Sequence, residues 1–269
     1  MTSPAPPEPE AEVLLEHEED GILTLTLNRP HRLNAVSQEL YLRLDRTLAS
    51  LRRRPGVRAV VLTGAGRGFS VGADLKAHGE GELDDTFRAR YILLAQRVNL
   101  RIQRAPVPVV AAVNGHAVGA GLELALSADL MVVAEEAKLR LPEVALGTFF
   151  GGGVSYTLPA RVGLARAREI LLLARFFSGA DAAAWGLANE ARPAAHVLAA
   201  SRELAEELAA MAPVSLRQAR DLLRSAPHRS PAENLRAEGE ALFRCMQTED
   251  WKEGIEAFHD RRPPRYHGR

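Results

Sequence analysis

The chain has 269 residues, with 34 basic and 34 acidic side chains and a formal net charge of zero. This balance gives no support for nucleic-acid binding through bulk charge, and no apolar run reaches the length of a membrane span. The single cysteine, Cys245, predicts neither a disulfide framework nor a cysteine metal site. The composition predicts an intracellular, cytoplasmic protein with a core large enough for one sizeable domain or two small ones.

The first eleven residues are rich in proline and glutamate. They lack the basic start and apolar centre of a signal peptide, and they are too acidic for a typical transit peptide. Such a composition cannot bury enough apolar surface to fold alone. We therefore expect residues 1–11 to form a disordered tail.

Strands and helices alternate in the next part of the chain. Leucine and threonine alternate between Gly21 and Asn28, which is typical of a half-buried strand. Ser37 is the expected N-cap of a helix that reaches about Arg53. A strand is predicted over residues 58–63. A mobile loop from Leu75 to Asp85 and a helix over about 84–103 follow.

The central stretch combines a strand, a glycine-rich turn and the start of a helix. Val109 to Val113 has the length and composition of a buried strand, and Asn114-Gly115 then turns the chain. The small residues of Gly119–Gly121 lead into an apolar helix, so free backbone N–H groups should point into the turn. Glu123 and Glu143 lie in apolar surroundings, where a carboxylate is costly and needs a partner or a catalytic role.

The last part of the chain is predicted to become helical. Short strands are expected around 130–134 and 138–141. Helices are then predicted over about 164–175, 180–186, 194–211, 213–225, 231–247 and 249–260.

The ordered set of motifs resembles the enoyl-CoA hydratase/isomerase (crotonase) superfamily from roughly Glu12 to the C-terminus. No single motif is decisive, but the set follows the family's order and spacing. The matching segments are Asn28-Arg29-Pro30, Leu33-Asn34-Ala35, Val60 to Gly64, Phe69 to Lys76, Val113-Asn114-Gly115, Gly119 to Ala125, Ala128-Asp129, Pro142-Glu143-Val144 and Gly147.

The resemblance implies an α/β fold, a crotonase-like spiral of strand–strand–helix units with a C-terminal helical region. The spiral core would span residues 12–195 and the helical region residues 196–269. The resemblance also implies an acyl-CoA substrate, no metal or other cofactor, and a homotrimer or a homohexamer built from two trimers. The expected activity is addition of water across the C2=C3 bond of a trans-2-enoyl-CoA, as in fatty-acid β-oxidation.

By the same resemblance, Glu123 and Glu143 are the two catalytic glutamates, and the amides of Ala73 and Ala120 form an oxyanion hole. Two preorganised N–H groups can stabilise the negative charge that develops on a thioester oxygen. Two carboxyl groups can hold one water, one accepting and one donating. The expected substrate-binding residues are Arg32, Leu33, Val71, Ala73, Asp74, Leu75, Lys76, Gly119, Ala120 and Gly151.

Several alternatives stay open at the level of sequence. An isomerase, or other CoA-ester chemistry of the superfamily, could use the same oxyanion frame. Gly68 to Gly72 also fits G-x-S-x-G, which would make Ser70 the nucleophile of a serine hydrolase, although no strand leads directly into it. Phe149-Phe150 stands where a small apolar residue and proline are more usual, so the acyl preference is open. His116 is expected to be a core or turn residue, and Asp129 a structural one.

Overall fold

The computed structural model describes residues 12–74 and 84–269. The predicted tail of residues 1–11 and residues 75–83 of the predicted loop lie outside the described residues. No helix among the described residues is long and apolar enough to cross a membrane.

A six-stranded sheet forms the centre of the fold, in the order β1-β2-β3-β5-β7-β10. Only the β1–β2 pair is antiparallel. Strands β3 and β5 are buried along their whole length, as expected for parallel strands covered on both faces. The strands are β1 (Leu14–Glu19), β2 (Ile22–Leu27), β3 (Ala59–Gly64), β5 (Val109–Val113), β7 (Leu130–Ala134) and β10 (Glu190–Arg192).

A second, four-stranded sheet has the order β4-β6-β8-β9. The first three of these strands are parallel, and β9 is antiparallel to β8. The strands are β4 (Gly68–Ser70), β6 (His116–Val118), β8 (Lys138–Arg140) and β9 (Phe177–Ser178). Strand β8 was predicted at about 138–141, whereas β4, β6 and β9 were not, because strands of two or three residues show little hydrophobic alternation.

Nine α-helices occur in the described part of the chain, most of them close to their predicted bounds. Ser37 caps the first, because its hydroxyl accepts a hydrogen bond from the Leu40 amide, and Asp84 caps the second in the same way. The helices are α1 (Gln38–Ser50), α2 (Asp85–Gln103), α3 (Ala120–Leu126), α4 (Val154–Leu173), α5 (Gly179–Ala184), α6 (Ala194–Ala210), α7 (Pro213–Ser225), α8 (Pro231–Met246) and α9 (Glu249–Asp260).

The chain repeats one spiral turn three times. It leaves the first sheet at β3, β5 and β7, adds β4, β6 and β8 to the second sheet, and then forms α2, α3 and α4. The predicted strand–strand–helix alternation is therefore confirmed. Beyond β10 the described chain forms helices α6 to α9 and one 3₁₀ helix. The boundary between residues 195 and 196 stays a prediction.

The helix predicted over 164–175 is confirmed from residue 164 onward, but the helical segment that precedes it was not predicted. Helix α4 begins at Val154 and continues across a kink at Gly163, whose φ of 73° is not helical. Pro159 lies inside this helix. Proline and glycine normally interrupt helices, so the sequence signal hid the first ten residues.

Asn34 connects the loop after β2 to the turn between β3 and β4. This side chain is fully buried. Its Nδ2 donates to the carbonyl oxygens of Ala65 at 2.9 Å and Gly68 at 2.8 Å, and its Oδ1 accepts from the Arg29 amide at 2.9 Å. Asn34 has a φ of 56°, a conformation that asparagine tolerates better than most residues. It therefore fixes the turn between β3 and β4.

We predict that Asn34→Ala lowers the free energy of unfolding by about 2–4 kcal/mol. The substitution leaves buried backbone groups unpaired and places alanine in the left-handed region. Urea titration followed by circular dichroism measures the loss. Replacement of the exposed Gln247 by alanine is the control and should change stability by about 0.5 kcal/mol or less. Equal losses in the two variants would contradict the prediction.

Candidate active site

The backbone at the start of α3 presents amide groups that the helix itself cannot satisfy. Ala120 is the first residue of α3, and Gly119 before it has a φ of 52°. The first intrahelical bond runs from the Glu123 amide to the Gly119 carbonyl at 3.0 Å. The amide of Ala120 lies ahead of this bond, so it has no carbonyl partner one turn earlier. The predicted free N–H at this turn is thus placed at the N-terminus of a buried helix.

The segment around Ala73 lies against this helix start. Ala73 forms a parallel bridge with Val36, in which the Val36 amide donates to Gly72 and Val36 accepts from the Asp74 amide. Neighbouring N–H groups of an extended chain point in opposite directions, so the N–H of Ala73 points away from Val36. A Cβ built on Gly72 would lie 3.3 Å from the Ala120 nitrogen. The structure therefore brings the two predicted oxyanion residues together.

Glu123 projects from α3 and is held by two backbone amides. Its side chain is buried. Its Oε1 accepts hydrogen bonds from Gly151 at 3.0 Å and Gly152 at 2.9 Å. A Cβ on Gly152 would lie 2.7 Å from the Cβ of Glu123, so only glycine fits there. The orientation of this carboxyl group is consequently fixed by the loop before α4.

Glu143 approaches the same region from the opposite side. It opens a 3₁₀ helix, Glu143–Leu146, directly after Pro142. A Cβ built on Gly119 would lie 2.8 Å from its Oε1, so this carboxyl group lies over the start of α3. Its Oε2 is buried and has no hydrogen-bond partner among the described residues.

The two glutamates have raised pKa values. Burial raises the pKa of Glu123, the hydrogen bond from Gly152 opposes this, and the nearby charge of Glu143 raises it further. Burial also raises the pKa of Glu143, against the opposing effects of its own backbone amide and of Arg140. A raised pKa allows a carboxyl group to take up and release a proton nearer neutral pH. The pair is therefore suited to acid–base chemistry.

The residues predicted to contact the coenzyme lie on the neighbouring loops. Leu33 has a φ of 49°, and its carbonyl accepts from the Val71 amide at 3.1 Å, so these two residues are adjacent. Arg32 is exposed. The carboxylate of Asp74 is buried and forms an ion pair of 2.9 Å with Arg29, which leaves its backbone as the part available for substrate. Leu75 and Lys76 lie outside the described residues.

Ser70 does not have the environment of a catalytic nucleophile. It is fully buried on β4. Its hydroxyl donates to the Asn34 carbonyl at 2.8 Å and accepts from the Gly72 amide at 3.3 Å. A nucleophile elbow needs an exposed hydroxyl beside a base, so the serine hydrolase alternative is wrong.

Asp129 has the structural position expected for it, whereas His116 is not the core or turn residue that was expected, because it begins strand β6. His116 is exposed, and its Nδ1 accepts from the Lys138 amide at 3.1 Å. Asp129 accepts from the Val109 amide at 2.8 Å and pairs with Arg220 of α7 at 2.8 Å. Asp129 thus links the sheet to a C-terminal helix. Among residues 12–74 and 84–269, no group of three or more histidine, cysteine, aspartate or glutamate side chains could hold a metal ion.

Comparison with known proteins places this geometry in a family. A model described as enoyl-CoA hydratase/isomerase matches residues 17–269. A Thermus thermophilus protein, provisionally named an enoyl-CoA hydratase, is 41% identical over 254 residues, which cover 94% of this chain and 100% of the relative. The 1,2-epoxyphenylacetyl-CoA isomerase of Escherichia coli is 32% identical over 263 residues, which cover 96% and 99% of the two chains.

A solved structure shows the same architecture. The crystal structure of an enoyl-CoA hydratase from Bacillus anthracis matches with a TM-score of 0.92 at 29% identity, covering 96% of this chain and 100% of the other. The predicted α/β, crotonase-like fold is confirmed. The family match and the fold together define an enzyme that acts on CoA thioesters. The chain belongs to the enoyl-CoA hydratase/isomerase family.

One contributor to the site was not predicted. Gly152 donates to Glu123 as Gly151 does, yet only Gly151 was expected there. The signal available was the run Gly151-Gly152-Gly153 directly before a helix, where consecutive free amides occur. The sequence does not show which of the three glycines donate to Glu123, and only the fold distinguishes them.

We predict that Gly152→Ala lowers kcat by about 100-fold, because a displacement of a catalytic group by about 1 Å can cost that much. The added methyl group would lie 2.7 Å from Glu123 Cβ and 2.8 Å from its Oε2. Steady-state assay with an enoyl-CoA substrate measures the change. Gly151→Ala is the matched comparison, because its Cβ meets nothing within 4 Å, and it should cause a much smaller loss.

We predict that stability depends on pH in opposite ways at two glutamates. The pKa of Glu143 is raised above 4.5, so wild type should lose stability relative to Glu143→Gln as the pH rises from about 4 to about 7.5. The pKa of Glu233 is lowered by the hydrogen bonds of Ser230, so wild type should gain stability relative to Glu233→Gln over the same range. Thermal unfolding of the three proteins at both pH values measures these differences. A parallel response of the two variants would contradict the prediction.

Proposed function

We propose that this protein adds water to the C2=C3 bond of a trans-2-enoyl-CoA and gives a 3-hydroxyacyl-CoA. The observation that carries the proposal is the position of one buried and one half-buried carboxyl group beside the free amide of Ala120. Glu123 lies one turn along α3, and Glu143 lies over Gly119. One site thus offers donors for a thioester oxygen and two groups that can exchange protons.

In the proposed mechanism the thioester oxygen accepts hydrogen bonds from the amides of Ala73 and Ala120. These donors stabilise the charge that develops on oxygen when C3 is attacked, and they need no reorganisation during the reaction. The aligned peptide dipoles of α3 add a favourable potential at Ala120. Ala120 has the same backbone amide that a glycine at this position would have, while its methyl group narrows the pocket.

The two glutamates would then handle the water. Glu123 orients and activates the water through the carboxyl group that Gly151 and Gly152 hold in place. Glu143 is the principal acid and base, and its buried Oε2 is the oxygen that we assign to the reacting water. The water oxygen bonds to C3 while a proton is delivered to C2, so the overall change is addition of one water. A carboxyl group that both accepts and donates a proton near neutral pH is helped by a raised pKa.

Isomerisation of an enoyl-CoA is the second candidate, because an Escherichia coli relative with 32% identity is named an isomerase of a CoA ester. Movement of a double bond requires transfer of one proton between carbon atoms, and a single carboxyl group suffices for this. Both glutamates being present favours hydration. Incubation with a 3-enoyl-CoA distinguishes the two activities, since an isomerase would form the conjugated thioester.

The proposal also covers the oligomeric state, the cellular location and the cofactor requirement of the protein. We propose a cytoplasmic homotrimer or homohexamer that needs no cofactor besides its CoA-thioester substrate. Large apolar side chains are exposed on α8 and α9, which is the kind of surface that subunit contacts bury. They include Leu242, Phe243, Met246, Ile255 and Phe258.

We predict that Glu143→Gln lowers kcat by about 10²- to 10⁴-fold and leaves binding of CoA esters nearly unchanged. Glutamine keeps the shape of the side chain but cannot exchange the proton. The loss of enoyl-thioester absorbance with crotonyl-CoA and with a longer 2-enoyl-CoA measures turnover, and calorimetry with a saturated acyl-CoA measures binding. Wild-type rates in both Glu143→Gln and Glu123→Gln would refute the two-carboxylate mechanism.

A further inference from the structure

Tyr91 of α2 contacts the backbone that carries Ala73. Its hydroxyl donates to the Val36 carbonyl at 2.9 Å. Val36 is the bridge partner of Ala73, and the same carbonyl accepts from the Asp74 amide at 3.3 Å. The tyrosine therefore supplies the shorter of these two hydrogen bonds, at a carbonyl that determines where the Ala73 segment lies.

The ring of Tyr91 is itself held in place. Its side chain is buried, and it packs edge to face on Tyr41 with ring centroids 5.4 Å apart. Burial raises the pKa of the Tyr91 hydroxyl, and the charges of Asp74 and Glu123 raise it further. The hydroxyl therefore stays protonated at neutral pH and can donate.

We propose that Tyr91 is a positioning residue that fixes the Ala73 amide relative to Ala120 through its hydrogen bond to Val36. This rests on the proposed function, in which the two amides bind the thioester oxygen. The distance between Gly72 and the Ala120 nitrogen leaves little tolerance, because a Cβ on Gly72 would already lie 3.3 Å from that nitrogen. Without the tyrosine hydroxyl, the Val36 carbonyl keeps the longer hydrogen bond, which comes from the Asp74 amide. The Ala73 amide then loses part of its preorganisation, on which the strength of such a donor depends.

Tyr41 offers a matched control. It is the same residue type and is fully buried in the same ring pair, but the hydroxyl that donates to the Val36 carbonyl is that of Tyr91. Tyr41→Phe removes one hydroxyl from the pair without touching the Val36 carbonyl. Tyr91→Phe removes one hydroxyl and the Val36 bond, while the packing of the ring is kept.

The test compares wild type, Tyr91→Phe and Tyr41→Phe with butanoyl-CoA labelled with ¹³C at the thioester carbonyl. This saturated ester cannot be hydrated, and its infrared carbonyl stretch falls in frequency when donors polarise the bond. Because only the bound ester is shifted, the frequency reports on folded protein even if a variant is less stable. Tyr91→Phe should show a smaller shift and a kcat about 10- to 100-fold lower, with KM changed much less. Tyr41→Phe should match wild type in both measurements.

Each other outcome has a definite meaning. A full shift and a full kcat in Tyr91→Phe would overturn the inference, and so would an equal reduction of the shift in Tyr41→Phe, which would assign the effect to ring packing. A reduced kcat with an unchanged shift would also overturn it. Absence of any shift in wild type that binds the ester would instead contradict the oxyanion hole of the proposed function.

Discussion

The site depends on one close approach between two pieces of backbone. Gly72 lies just after β4, and Ala120 begins α3 just after β6. They meet with so little space that a Cβ on Gly72 would lie 2.7 Å from the Val118 carbonyl oxygen. Parallel pairing of β4 with β6 brings these two strand ends to the same edge, because parallel strands end on the same side of a sheet. The approach of these two backbone segments is therefore a consequence of the spiral topology.

Glu123 and Glu143, to which we assign the chemistry, make folding less favourable. Burial of Glu123 and Glu143 raises both pKa values, which means that folding is less favourable with these groups charged. Two backbone amides partly offset the cost at Glu123. Glu143 has one buried oxygen without a partner among the described residues. The less satisfied of the two groups is the one to which we assign the principal proton transfer, and strain of this kind is characteristic of active sites.

The sequence predicts the parts of this arrangement that have strong local signals. Strand β5 was expected at Val109 to Val113 and has those bounds, because five consecutive apolar residues between proline and Asn-Gly leave few alternatives. The start of α1 after its N-cap, Ser37, was also predicted, because an N-cap is an interaction between residues close in sequence. Strands β4 and β6 have only three residues each, were not predicted, and depend on pairing across the second sheet. Such tertiary pairing has no periodic signature in the chain.

The candidate site shows the same division. The glutamates and the free amides after Gly119 stood out from the residues themselves, but their roles were predicted because an ordered set of motifs resembles a family. The structure brings Ala73, Ala120, Glu123 and Glu143 together. The roles of Gly152 and Tyr91 could not be predicted, because each acts through a partner far away in sequence. Glycine in a run and tyrosine in an amphipathic helix have many ordinary explanations. Their contacts are decided by how the spiral packs.

One short segment determines the relation between the two acids. Glu143 begins the 3₁₀ helix at one end, and Gly151 and Gly152 hold the Glu123 carboxyl group at the other. Phe149 and Phe150 lie between these ends with ring centroids 4.0 Å apart, and Phe149 is 71% exposed. A change in this ring pair would shift the support of Glu123 and the position of Glu143 together.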